Sequence, residues 1–158
     1  KVTLLESSCF LKFVFTMKRK ILSSLIEWKN SEDRKPLILN GARQVGKTYT
    51  LEKFGEEYFE NVVYLNMEIE GAIAGFIEKE LSPAKIIRFI ESVKRQEITP
   101  GKTLIFFDEI QASERTLTSL KYFCEQTPEH YVVAAGSLLG VAINREKYSF
   151  PVGCKPLG

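Results

Sequence analysis

Histidine is almost missing from this sequence, with His130 the single instance, and cysteine is limited to Cys9, Cys124 and Cys154. These residues share no metal-type spacing, so a zinc centre is not expected. An odd, sparse set of cysteines fits free thiols in a reducing compartment, and the cytoplasm is the expected location. Long apolar runs are missing too. No stretch approaches the ~18–20 residues that cross a bilayer. The nearest, Val2 to Thr16, is interrupted by Glu6 and Lys12, and it lacks the basic leader and small-residue cleavage site of a signal peptide. Charge of one sign is scarce as well: 22 Lys and Arg stand against 20 Asp and Glu, a net charge of +2. That balance lends no support to a polyanionic partner.

What is present suffices for one domain, since 158 residues with 44% hydrophobic and 27% charged side chains can bury a real core. The chain opens on Lys1, whereas Met17 begins a clean helical segment. Residues 1–16 are therefore expected to lie upstream of the natural start or to be foreign to the protein; an ordinary N-terminal strand is the alternative. From Met17 to Lys29, Ile21, Leu22, Leu25, Ile26 and Trp28 recur at helical spacing, which predicts an amphipathic helix packed beside a sheet.

The stretch Gly41-Ala42-Arg43-Gln44-Val45-Gly46-Lys47-Thr48 fits the phosphate-loop pattern G-x-x-x-x-G-K-[ST] without a mismatch. Ahead of it, Leu37 to Asn40 reads as a buried strand entered through Pro36. Behind it, Thr48 to Phe54 reads as a helix that stops at Gly55. In that setting the backbone N–H groups of residues 42 to 48 and the helix N-terminus form an anion cradle. Gly41 and Gly46 are small so that phosphate is not blocked and positive φ is tolerated. Lys47 is expected to reach the β- and γ-phosphates, and the Thr48 hydroxyl to sit on Mg²⁺. A nucleoside triphosphate with Mg²⁺ is the expected ligand.

Downstream, Asn61 to Asn66 predicts a second buried strand with Glu68 and Glu70 beyond its carboxyl end, either solvated or reaching metal and water. Helices are predicted from about Ala72 to Glu80 and again from Pro83, with Ser82 as its cap. The second should bury Ile86, Ile87, Ile90 and Val93 and turn Arg88, Lys94 and Arg95 to solvent. Leu104-Ile105-Phe106-Phe107 then runs into Asp108-Glu109, the Walker B pattern. Asp108 is expected to hold Mg²⁺, largely through its waters, and Glu109 to polarise the attacking water. A glutamate directly after the aspartate separates the chain from small GTPases, and the guanine-reading Asn-Lys-x-Asp is absent. Gln111 is either a γ-phosphate sensor or a plain loop amide. Ser113 should cap a helix presenting Leu117, Leu120 and Cys124, which Thr127-Pro128 breaks. Tyr131 to Ala135 predicts a fourth buried strand closing on Gly136-Ser137. Ser137 there takes the sensor position of such ATPases or serves as a turn residue. His130 reads as a surface residue.

With these residues the chain resembles the prokaryotic AAA+-like ATPases whose phosphate loop reads GARQVGKT, whose Walker B reads DEIQ and whose fourth strand runs into AAGSLLG. Here these are Gly41 to Thr48, Asp108 to Gln111 and Ala134 to Gly140, with Tyr64-Leu65-Asn66 and Ser149 to Gly153 in matching order. The resemblance spans about residues 17–153. It implies an α/β fold, a parallel sheet of about four strands between helices in which the phosphate-loop and Walker B strands are not neighbours. It implies ATP and Mg²⁺ as ligands, with Glu109 and Lys47 catalytic. A C-terminal region of unsettled function usually follows, a route to a protein or DNA partner, and an oligomer is compatible with it. After Gly153 the pattern departs, so residues 154–158 are expected to be a divergent tail, with the fifth core strand missing. Arg145 is the only late arginine. Two functions follow: an ATPase core, or a nucleotide-gated switch with little turnover.

Overall fold

The computed structural model describes residues 20–41, 46–137 and 155–157. Residues 1–16, the middle of the phosphate loop (Ala42, Arg43, Gln44, Val45), Leu138 to Gly140, Arg145 and Ser149 to Gly153 lie outside the described residues. Cys9 and Cys154 lie outside them too.

Helix α1 covers residues 20–30. Strand β1 (Leu37–Gly41) leads to α2 (Lys47–Tyr58), β2 (Asn61–Asn66), α3 (Gly71–Ile77) and α4 (Pro83–Lys94). Then come β3 (Thr103–Asp108), a 3₁₀ turn (Ile110–Ala112), α5 (Glu114–Gln126), β4 (Tyr131–Ser137) and β5 (Lys155–Leu157). The sheet order is β2-β3-β4-β1-β5, with every neighbouring pair parallel. β4 therefore separates the phosphate-loop strand from the Walker B strand, as expected. The expected gap at the fifth position is corrected: Lys155–Leu157 pair with β1 from Leu37 to Leu39 and form a three-residue edge strand.

Parallel strands between two helical layers are apolar on both faces, and the alternation here assigns each side chain to one layer. Leu37, Leu39, Leu104, Phe106, Val133 and Ala135 pack with Leu25 and Trp28 of α1 and Leu51 and Phe54 of α2. Their neighbours Ile38, Ile105, Phe107, Val132 and Ala134 pack with the buried stripes of α3, α4 and α5. β3 is buried along its whole length, from Thr103 to Asp108. Five local expectations are revised. α2 does not stop at Gly55 but continues to Tyr58. Gly55 is instead a close-approach residue, because a Cβ there would stand 2.6 Å from Val62 Cγ2. Val93 is 42% exposed rather than core. Ser82 holds the N-cap position of α4 as expected, but its side chain makes no capping hydrogen bond; its N–H donates to Glu80 Oε1 at 2.9 Å. Lys94 is ion-paired with Glu70 at 2.7 Å rather than merely solvated. His130 is less exposed than expected: its side chain is 8% exposed, with the buried Nδ1 3.4 Å from Glu129 Oε1.

Candidate nucleotide site

The carboxyl ends of β3 and β4 and the start of α2 meet around an open cleft of about 580 Å³. Parallel sheets expose ligand-binding ends in this way because the loops leaving their strands splay apart where neighbouring crossovers diverge. Gly46, Lys47 and Thr48 line it from the start of α2, Asp108 and Glu109 from the end of β3, and Ser137 from the end of β4. Tyr49 and Glu68 complete the lining. Gly46 caps α2 at φ 83°, ψ 23°, a left-handed conformation that glycine adopts without a Cβ clash.

Asp108 is 4% exposed, and alternation along β3 turns it to the same layer as Leu104 and Phe106, where α2 lies. There the Thr48 hydroxyl donates to Asp108 Oδ2 at 2.8 Å. The Tyr64 hydroxyl donates to the same oxygen at 2.9 Å, and the Glu109 N–H donates to Oδ1 at 2.9 Å. Burial and the bond to Asp108 push the Tyr64 hydroxyl up to about 12, so it is a donor at neutral pH.

Glu109 follows at φ 49°, ψ 43°. Its carboxylate accepts from the Gln111 side-chain amide, and Gln111 Oε1 accepts the Ser137 N–H at 3.2 Å. Both bonds require the same amide orientation, since a carboxylate takes only the NH₂ end and an N–H takes only the oxygen. Gln111 thus links the ends of β3 and β4.

Of the sequence-derived candidates, Gly46, Lys47, Thr48, Asp108, Glu109 and Ser137 come together at the cleft. Gly41 ends β1 in register with Ser137. Glu70 is drawn away by Lys94. Tyr64 was missed as a site residue; its signal was a tyrosine on the β2 face that alternates with the buried Val63 and Leu65. The donor set fits Mg²⁺. Hydroxyl and carboxylate oxygens are hard ligands, and among the described residues no three His, Cys, Asp or Glu form an all-protein cage. Mg²⁺ is commonly held in that way, by one or two protein oxygens with phosphate and water.

A family model for the AAA domain matches residues 33–153. This chain belongs to the AAA domain family. Among solved structures, this AAA domain is similar to C. elegans PCH-2, with 15% identity and a TM-score of 0.50 over 90% of this chain and 41% of that one. It is also similar to the Aeropyrum pernix ORC2 protein in its ADPNP–ADP complexes, with 17% identity and a TM-score of 0.45 over 92% of this chain and 46% of that one. The AAA domain therefore spans less than half the length of these relatives. No curated protein matches it. It is a nucleotide-binding, ATPase-like module. Among the described residues no helix is long and apolar enough to cross a membrane.

Proposed function

We propose that this AAA domain binds ATP with Mg²⁺ and hydrolyses it. The observation that carries the reading is the 2.8 Å hydrogen bond from Thr48 to Asp108, which joins two motifs distant in sequence at one cleft. In P-loop ATPases this pair lies at the metal. Mg²⁺, when bound, neutralises charge on the phosphates. Residues 41–48 would cradle the phosphates, with Ala42, Arg43, Gln44, Val45, Gly46, Lys47 and Thr48 contributing backbone N–H groups and Gly41 leaving room for the phosphate. Lys47 would pair with the β- and γ-oxygens, and Thr48 and Asp108 would hold the metal. Glu109 would accept the proton of the attacking water, and Ser137 would hydrogen-bond the γ-phosphate. The protein's contribution is positioning and electrostatic stabilisation of an in-line displacement.

A second reading has one observation in its favour. The Glu109 carboxylate is engaged by Gln111, which suits a nucleotide-gated switch with slow turnover, passing its state to a protein or DNA partner or to a second copy.

Thermal unfolding with Mg²⁺ and a non-hydrolysable ATP analogue tests the site. Ligand at ~100 times its Kd should stabilise the fold by roughly 2.7 kcal/mol, and the shift should disappear in Lys47→Ala. No shift in a cooperatively melting wild type refutes nucleotide binding. Turnover that is present in the wild type and lost in Glu109→Gln, with binding retained, separates the ATPase from the switch.

A further inference from the structure

We infer that Tyr64 is a positioning residue for the metal-facing carboxylate: its hydroxyl holds Asp108 in the orientation that receives the Mg²⁺ of a bound nucleotide. The inference rests on the nucleotide site proposed above and adds to it a residue from β2, a strand that contributes nothing to the phosphate-loop or Walker B motifs.

Three protein donors converge on Asp108, each from a different segment. Thr48 of α2 and Tyr64 of β2 both donate to Oδ2, at 2.8 and 2.9 Å, and the Glu109 backbone donates to Oδ1 at 2.9 Å. A carboxylate offers about four lone-pair sites. With three of them taken, roughly one remains directed to the cleft, which suits acceptance from a metal-bound water rather than direct ligation. The occupied sites also fix the carboxylate plane, because Oδ2 is held from two directions and Oδ1 from a third.

Register explains why Tyr64 reaches this far. Tyr64 is paired with Phe106 and lies on the same face, its ring edge-on to the Phe106 ring at 5.2 Å and 72°. The ring is long enough to pass Phe106 and bring its hydroxyl to the next side chain on that face, Asp108. A phenylalanine at 64 would keep the ring contact and lose only the donor.

Partners of this kind, which orient a metal-facing group without touching the metal, change metal affinity about 10–100-fold when removed. The test is a titration of Mg²⁺ into the full chain with a fluorescent non-hydrolysable ATP analogue, for wild type, Tyr64→Phe and Asp108→Asn. Tyr64→Phe should raise the Mg²⁺ concentration at half-maximal binding by about tenfold, while analogue affinity in excess chelator stays within twofold of wild type. An unchanged Mg²⁺ midpoint overturns the inference. So does an equal loss of affinity with and without Mg²⁺, which would make Tyr64 a packing residue only. If wild type and Asp108→Asn show the same Mg²⁺ response, the proposed metal site itself fails and the role of Tyr64 falls with it.

Discussion

Two residues at the cleft hold backbone conformations that ordinarily belong to glycine, and only one of them is glycine. Gly46 takes φ 83° at the start of α2 without penalty, whereas Glu109 takes φ 49° directly after β3. A left-handed non-glycine residue costs on the order of 1–2 kcal/mol, and such strain gathers where a side chain must be aimed. At Glu109 the turn brings the carboxylate to Gln111 while Ile110 goes into the core. His130 is a different kind of local tension. Burial pushes its imidazole below the ordinary value, while Glu129 beside it and Glu91 on α4 pull the other way. In the unfolded chain it titrates near 6.5. The unfolded state therefore binds more protons as pH falls through that value, and stability that is complete above it is lost below it. The melting midpoint should fall between pH 7 and pH 5.5, and less steeply in His130→Gln. Identical pH slopes in the two proteins would remove His130 as the cause.

At the scale of elements, the residue that the sequence marks as a helix stop proves to be a contact. Gly55 lies within α2, and the Phe59 N–H still bonds its carbonyl at 3.0 Å. Its missing side chain lets the helix sit on β2, since an added Cβ would stand 2.6 Å from Val62 Cγ2 and 3.2 Å from Leu104 Cδ2. Gly55→Ala gains about 1 kcal/mol of helix propensity. Against that, overpacking a stiff β-branched neighbour costs about 1–3 kcal/mol. The expected result is net destabilisation of about 1 kcal/mol, read as a lower urea midpoint with an unchanged slope. A higher midpoint would mean that Val62 gives way freely. Ser113, by contrast, was legible from local chemistry, and its hydroxyl accepts the Thr116 N–H at 3.2 Å as a cap. The Glu70–Lys94 pair was not legible, because it joins α3 to α4 across 24 positions.

The whole molecule divides its work between the two ends of the sheet. The carboxyl ends build the cleft, while the amino end is closed by α1 and the loop after it. Trp28 is 6% exposed and donates from Nε1 to the Lys35 carbonyl at 2.7 Å. Its ring meets Tyr131, the first residue of β4, at 5.9 Å and Phe54 of α2 at 6.4 Å. Arg34 lies over the Tyr131 ring at 3.6 Å and donates to the Pro128 carbonyl at 2.9 Å. Truncating a buried tryptophan typically costs about 3–5 kcal/mol. Trp28→Ala should lose stability of that order in urea denaturation, while the folded fraction keeps wild-type affinity for the ATP analogue. A comparable loss of affinity would show that the two ends are coupled through β4.

The sequence by itself determined the four longer strands, the two motifs and the α/β class, but not the edge strand Lys155–Leu157. Those signals are local: apolar runs of strand length, glycines in a phosphate-loop pattern, and two acids ending a buried strand. It also marked Lys47, Thr48, Asp108 and Glu109 as candidates for one site, and all four line the same cleft. Only the tertiary structure decided that Tyr64 shares Asp108 with Thr48, that Gln111 bridges Glu109 to Ser137, and that Glu70 turns to Lys94. Apart from the short step from Glu109 to Gln111 and the helix-to-helix pair of Glu70 with Lys94, each of these contacts depends on which strands are neighbours and in what register. Register follows from how helices on both faces pack against the sheet, and no local run of residues contains that information.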